Sequence, residues 1–313
     1  MGTGLFGDAL VTVQQPDEDD PSIRDVLVEI KEKNTGSINF GVGINTDAGV
    51  LGNISLTQNN FDLFDVPETF AEFYRGRSFR GAGQRFAINF QPGTEIFAYD
   101  ISLTEPRFLG TPYALGGSAG YYSRVYTGTA GGYTEERASA GAVLSRRLGD
   151  VWYGSLRIDA SHVELTDLDP NEPLDIQNDA GPETLLSAGL TLTRTTIDRM
   201  SRPTKGSRTQ LNIANWGLLG GDRNFDRMSV DYTTYLALDR DFLGRVSTLR
   251  LDGQVGNIFG GSAPTYERFY LGGRTLRGFK LRSVSPKGAN PTTGQMTDVP
   301  IGGTFMAFLG AQY

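Results

Sequence analysis

Apolar and polar residues alternate with a period of two along most of this chain. Ile38, Phe40, Val42 and Ile44 interleave with Asn39, Gly41, Gly43 and Asn45. Phe97, Tyr99, Ile101 and Leu103 interleave with Ala98, Asp100, Ser102 and Thr104, and Leu186, Ala188, Leu190 and Leu192 with Ser187, Gly189, Thr191 and Thr193. The same spacing recurs at 50–57, 85–91, 152–160, 230–239 and 249–255. Such alternation predicts strands with one apolar and one polar face. With weaker runs at Tyr113–Tyr126, Arg137–Arg147, Arg208–Trp216 and Thr304–Tyr313, it gives about twelve strands. Turn-forming clusters separate them at Gln91–Thr94, Leu148–Asp150, Pro203–Gly206 and Leu243–Arg245. Helical periodicity is confined to a short stretch within Phe61–Phe73.

Two all-β architectures fit this pattern, a soluble sandwich and a transmembrane antiparallel β-barrel. Several predicted strands run to about ten residues, the length a tilted strand needs to cross a bilayer. Arg85, Asp100, Arg157, Asp159, Asp231, Asp239, Arg250 and Asp252 fall on the polar face, which suits a wet lumen or a solvated outer face equally. Loop lengths favour the barrel. Short connections at Leu148–Asp150 and Asp241–Arg245 alternate with long ones at Val163–Glu183 and Asn257–Gly303, as barrel turns and external loops do. The connection Gln58–Gln84 breaks that alternation.

Composition narrows the chemistry. The net charge of −7 and the lack of a basic stripe argue against a nucleic-acid partner. With no cysteine and one histidine, His162, neither a thiolate metal site nor a histidine-based nucleophilic site is expected, so the chain reads as no enzyme, with no cofactor and no metal. His162, Glu164, Asp167, Asp169, Glu172, Asp175 and Asp179 lack the spacing of a calcium loop and read as a solvated acidic external loop. No apolar run reaches the length of a transmembrane helix, and the first residues do not read as a signal peptide. Residues 1–35 carry two strand patterns, Ala9–Gln14 and Asp25–Glu32, around an acidic turn at Pro16–Asp20. They read as the end of a small α+β module or as a hairpin of the main domain.

The long segment 257–303 is rich in Gly and Pro and is centred on Leu276, Arg277, Gly278 and Phe279. Loops of this length are functional or disordered, and paired glycines, aromatics and arginine point to function. The Leu-Arg-Gly-Phe run, preceded by Phe269, Tyr270, Leu271, Gly272 and Gly273, resembles the VRGF motif in the sixth external loop of BamA-type outer-membrane assembly factors. The segment Ile101–Phe108 is similar to the family's strand end before a periplasmic turn, and Arg202–Arg208 to another recurrent turn. Asp25–Glu32 followed by Gly36 resembles the join between the last POTRA domain and the first barrel strand.

The resemblance implies a sixteen-stranded barrel in the bacterial outer membrane, of which about twelve strands are present, with 1–35 the end of a POTRA domain and 36–313 the barrel, the chain being truncated at both ends. It implies that Arg277 folds into the lumen against an acidic wall residue expected beyond Tyr313, with Asp252, Asp239 or Asp231 as substitutes. It further implies a lateral gate at strand one, carried by Gly36, Ser37, Ile38, Asn39, Phe40, Gly41, Val42 and Gly43. The implied function is folding and inserting unfolded client barrels into the lipid bilayer, with periplasmic or lipoprotein accessory subunits. A related polypeptide-translocation pore and a barrel fused to an enzyme domain are the alternatives.

Overall fold

The computed structural model describes residues 6–16, 24–32, 34–45, 48–76, 78–128, 131–273 and 275–313. Two strands, β1 (Phe6–Pro16) and β2 (Arg24–Glu32), form an antiparallel sheet of their own. The acidic turn expected between them lies mostly outside the described residues. Their assignment to a POTRA domain stays an implication of the resemblance.

The main sheet follows chain order: β3 (Gly36–Asn45), β4 (Gly49–Phe61), β5 (Gln84–Gln91), β6 (Ile96–Glu105), β7 (Tyr113–Gly128), β8 (Gly131–Leu148), β9 (Trp152–Thr166), β10 (Gly181–Thr195), β11 (Gly206–Arg240), β12 (Val246–Phe259) and, after β13 (Lys287–Ala289) and β14 (Met296–Pro300), β15 (Phe305–Gln312). Every neighbouring pair is antiparallel. The 35 residues of β11 do not make one straight strand, which at about 3.3 Å per residue would exceed 100 Å. Gly217, Gly220 and Gly221 take positive φ, and side chains meet across the fold: Trp216 stacks on Phe225, and Asn212 donates to Ser229 and Asp231. The segment is therefore a hairpin, 206–216 against 225–240, and the chain makes twelve passes, in agreement with the alternation.

Register keeps the two faces separate. Ile88, Ile101, Ala119, Ala140, Ala160, Leu186 and their neighbours share one face, and Asn89, Asp100, Gly120, Ser139, Ser161 and Leu185 the other. On the polar face, hydrogen bonds cross the strands: Asn89 donates to Asp100, Thr233 to Asp252 and Asn39 to Ser55. On the apolar face Ile88, Tyr99, Ile101, Leu156, Ile158, Leu190, Tyr232, Leu236 and Val255 are exposed. The buried cores lie on the polar side, where loop 260–304 packs. One contains Tyr133, Val163, Leu165, Ile176, Leu185, Tyr266 and Val299; the other contains Phe225, Ile258, Ala263 and Phe269.

The expected separation of short and long connections is only partial: those after β8, β10 and β11 share one end, while short ones after β3, β5 and β7 lie at the opposite end with the long loops 167–180 and 260–304. The turn after β10 is built on Asp198, which accepts from the Thr204 N–H and hydroxyl and the Lys205 N–H, bonds that hold its carboxyl well below the usual range. The turn after β11 closes on the Arg245–Asp241 ion pair. The connection between β4 and β5, which broke the expected alternation, lies at this same end by strand parity and carries the short helix α1 (Phe70–Tyr74).

Candidate functional site

Two features stand out: a long loop clamped against the polar face, and an edge strand whose outer side has no partner among the described residues.

The loop enters after β12 through Pro264 and a single 3-10 turn, Thr265–Glu267. Phe269 seats on β12 because position 256 is glycine; a Cβ there would lie 2.5 Å from the ring. Arg227 covers the other side of Phe269, 4.5 Å from the ring centroid. Glu267 accepts a hydrogen bond from Arg137 Nη1 at 2.7 Å and lies 3.7 Å from Arg227 Nη1. Arg268 donates to Asp175 at 3.0 Å and to the carbonyls of Ala263 and Ile301. Tyr266 donates its hydroxyl to Glu183, which also takes a bidentate bond from Arg223. Asp179 accepts from the Thr265 N–H at 2.6 Å and from Arg223 at 3.0 Å. Burial raises the Asp179 pKa, with the Thr265 and Arg223 contacts opposing it. Tyr270 donates to the Thr265 carbonyl, and burial pushes its hydroxyl up to about 12.

Arg282 is the deepest arginine of the loop's second half. Its guanidinium lies between the faces of Tyr126 and Tyr270, at 4.5 and 4.6 Å, and pairs with Glu135 at 3.5 Å. Its backbone is left-handed, φ 57°. Non-glycine residues in that region cost energy and persist where surrounding contacts over-determine them. Loop charges thus meet wall charges from β8, β10 and β11, each buried cation having a carboxylate or an aromatic face opposite, as burial demands.

The Leu276–Phe279 motif occupies the loop's outer turn. Leu276 is half-buried, while Arg277, Gly278 and Phe279 are exposed. Among the described residues Arg277 has no ion-pair partner. Among the described residues none of the three substitutes is paired with Arg277: Asp252 is engaged with Arg250 and Thr233, Asp231 with Asn212 and Gln254, and Asp239 accepts from the Arg240 N–H. Arg282, Glu135, Arg137, Glu267, Glu183 and Arg223 were not singled out by the sequence. The acidic loop 167–180 is also different from its expected solvated state. Glu172 and Asp179 are buried, and Asp175 and Asp179 are ion-paired, because this loop packs against loop 260–304. Among the described residues no acidic or histidine cluster is arranged to hold a metal.

The second feature is β3. It pairs along its full length with β4, from Gly36 opposite Gln58 to Asn45 opposite Gly49. Its other edge is unpaired among the described residues, as is the outer edge of β15 at the opposite end of the sheet. Ile38, Phe40, Val42 and Ile44 share one face, with Phe40 75%, Val42 84% and Ile44 85% exposed. Ser37, Asn39, Gly41 and Gly43 share the other. A Cβ would meet nothing within 4 Å at Gly43 and only Asn53 Cβ, at 3.9 Å, at Gly41, so space does not require glycine at either position. Glycine without a packing reason weakens a strand.

The family model described as the Omp85 superfamily domain matches residues 78–313. The outer membrane protein assembly factor BamA of Nitratidesulfovibrio vulgaris is 30% identical over 308 residues, covering 97% of this chain and 34% of that protein. BamA of Neorickettsia risticii is 24% identical over 281 residues, covering 89% of this chain and 34% of that protein. The chain spans about a third of the length of these curated relatives. Among solved structures, BamA from Haemophilus ducreyi lacking POTRA domains 1-3 superposes with a TM-score of 0.77 at 22% identity, over 97% of this chain and 57% of that one. CdiB from Acinetobacter baumannii superposes with a TM-score of 0.53 at 16% identity, over 88% and 49%. These two likenesses concern the fold, which is that of an outer-membrane β-barrel.

Proposed function

The chain belongs to the Omp85 superfamily of bacterial outer-membrane β-barrel proteins, and we propose that it is barrel wall of an insertase that folds and inserts client β-barrels through a weak seam at β3. The observation that carries this reading is the glycine pattern of Gly36–Asn45: a Cβ at Gly43 would meet nothing within 4 Å and one at Gly41 only Asn53 Cβ at 3.9 Å, so glycine there loosens the strand without a packing reason. Once such a strand is parted from a neighbour, its edge presents alternate N–H and C=O groups, and an incoming strand satisfies them by β-augmentation. The exposed Ile38, Phe40, Val42 and Ile44 face lipid, which continues the apolar band onto the client as it pairs. Gly41 and Gly43 lower the cost of parting the seam. The clamped loop keeps the wall beside it in shape while the edge opens.

No covalent step and no cofactor is needed, since strand pairing in a low-dielectric phase supplies the driving force. The partners are unfolded client barrels and the lipid bilayer, with periplasmic or lipoprotein accessory subunits. The BamA names of the relatives support this choice over the translocation pore.

The test is replacement of the native copy, in cells, by a full-length variant with Phe40→Pro, which removes an N–H from the edge strand. Steady-state levels of several unrelated outer-membrane barrels fall together. Loss of a single secreted polypeptide with barrels unchanged would instead identify a translocation pore. The loop arginine is tested beside it: Arg277→Ala in the same cells reports whether the exposed motif contributes to insertion.

A further inference from the structure

The connection 62–83 between β4 and β5 belongs to neither the clamp nor the β3 seam. It stands at the same end as the turn after β6, which the likeness of Ile101–Phe108 to the family's strand end makes the periplasmic one. Barrels keep such turns short. This one is long, and its root is fastened to the strands. Asn60 Oδ1 accepts from the Gly83 N–H at 2.9 Å, and Gln84 Oε1 from the Leu63 N–H at 3.0 Å. The Asp62 N–H donates to the Phe79 carbonyl at 3.0 Å, and the Phe79 N–H to the Asp65 carbonyl at 2.8 Å. Phe61 stacks on both Phe79 and Phe86, at 5.5 and 4.6 Å.

The root lies on the lipid-facing side of the sheet. Phe86, paired with Leu103, shares that face with Ile88. Leu63 borders one apolar groove with Phe86, Leu103 and Ala119, and Phe79 borders another with Leu56 and Ile88. Beyond the root, large apolar side chains are exposed: Phe64 by 83%, Val66 by 64%, Phe70 by 81% and Tyr74 by 84%. Phe70 and Tyr74 are four apart on α1 and so share a face. Three carboxylates of the stretch are spent on its own backbone: Asp62 accepts from the Phe64 N–H, Asp65 from the Arg80 N–H and Glu72 from the Glu68 N–H. Arg75 is exposed, and its side chain borders the second groove.

Depth says what covers these residues. At the other end of β5 and β6 the lipid-facing rings of Phe90, Phe97, Tyr99 and Tyr121 touch one another, as an aromatic girdle at a bilayer surface does. Gln84, where β5 begins, is six positions before Phe90. That is about 20 Å along the strand and roughly 15 Å in height at a barrel's tilt, short of the apolar band of about 25 Å. The connection therefore starts within reach of the bilayer, and its exposed aromatics extend the lipid-facing surface that β5 leaves incomplete. Amphipathic rings collect at that level, where an arginine keeps its stem among apolar groups and its head in water. We propose that connection 62–83 is a membrane-surface anchor, with Phe64, Phe70 and Tyr74 seated in the headgroup layer of the periplasmic phospholipid leaflet and Arg75 turned to phosphate. The anchor holds β4 and β5 in the bilayer beside β3. It rests on the outer-membrane barrel fold and stands apart from the insertase reading.

The test places a bimane fluorophore on single cysteines of the full-length protein, freed of any other cysteine and folded into phosphatidylcholine vesicles. Val66→Cys and Ala71→Cys report on the connection and leave its aromatics in place. Arg202→Cys, exposed on the turn after β10, is the aqueous reference at the same end. Phosphatidylcholine brominated near the glycerol end of its acyl chains quenches positions 66 and 71 at least about twofold more than position 202, and iodide on both sides of the bilayer quenches them less. Phe64→Glu with Tyr74→Glu raises iodide quenching at position 66 toward that at 202 while the barrel keeps its heat-modified mobility; should that variant not fold, the labels in the unaltered segment decide alone. Iodide quenching at 66 and 71 equal to that at 202 puts the connection in water and overturns the proposal. Shielding from iodide without quenching by brominated lipid means that protein covers the segment, and shielding that appears only with an unfolded client barrel makes it a client site; either overturns it. So does a folded double-glutamate variant whose position 66 stays shielded.

Discussion

At the residue scale, the loop is held by charges whose removal leaves a partner stranded. Deleting one member of a buried ion pair costs about 3–5 kcal/mol, far more than an exposed group is worth. Glu267→Gln removes the carboxylate beside Arg227 and the nearer of the two beside Arg137, whose other partner, Glu135, lies 3.6 Å away, and Arg282→Ala leaves Glu135 with Arg137 alone and empties the space between Tyr126 and Tyr270. Both variants therefore release loop 260–304, read as faster cleavage by an added protease at the intact barrel. Arg277→Ala changes that cleavage little, within the roughly 0.5 kcal/mol typical of exposed positions. If the loop is instead held through Arg277, the order of the two arginine variants reverses. Charge state gives a second handle. Burial raises both Asp179 and Glu172, so their contribution to stability is fully present below the unfolded carboxylate value of about 4 and is lost as pH rises through the raised folded values. Loop protection is thus greater at pH 5 than at pH 8. Asp179→Asn flattens the difference, and a loop that loosens on acidification would contradict this.

Among the elements, two glycine sets do opposite work. Gly256 makes room for the Phe269 ring, so Gly256→Val forces the ring off β12 and destabilises by about 1–3 kcal/mol, seen as a lower unfolding temperature of the purified barrel. Gly41 and Gly43 make room for nothing. Gly41→Val with Gly43→Val stiffens β3 by roughly 0.5–1 kcal/mol per site and slows client insertion into proteoliposomes while raising stability. A variant pair that raises stability with insertion unchanged would remove the weak seam from the mechanism. The strands themselves were legible because lipid and lumen impose opposite demands on alternate residues, so the period of two survives along every pass, Leu186–Thr193 being the plainest case. The clamp was not. Arg282 and Glu135 are 147 positions apart, and Arg137 and Glu267 are 130 apart. Nothing in either segment names the other. The motif pointed to an arginine in this loop; among the described residues the loop's reversal, where Gly272, Gly273 and Arg282 take positive φ, brings Arg282 to the wall, and Arg277 is exposed.

Over the whole molecule, cohesion is uneven. Loop 260–304 ties together β8, β10, β11 and β12 through Glu135, Arg137, Glu183, Arg227 and Gly256. These strands share long ladders with both neighbours as well. At the other extreme, β3 takes no part in that network, and Gly41 and Gly43 leave it short of packing side chains. Local opening free energy follows the number of contacts that must be broken, from near zero at frayed edges to the global value in the core. Hydrogen exchange of the full-length barrel in detergent should therefore rise in steps across the sheet, with Val143, Leu156 and Leu190 amides slowest and Phe40 and Val42 amides fast. Releasing the clamp with Glu267→Gln shortens protection in β8 and β10 and leaves β3 as it was, because β3 never shared in that network. A seam intrinsic to β3 and a wall braced by the loop predict these two results jointly. Protection of β3 equal to that of β8, or a fall in β3 on clamp release, would mean instead that the loop governs the edge and that opening is a property of the whole barrel rather than of one strand.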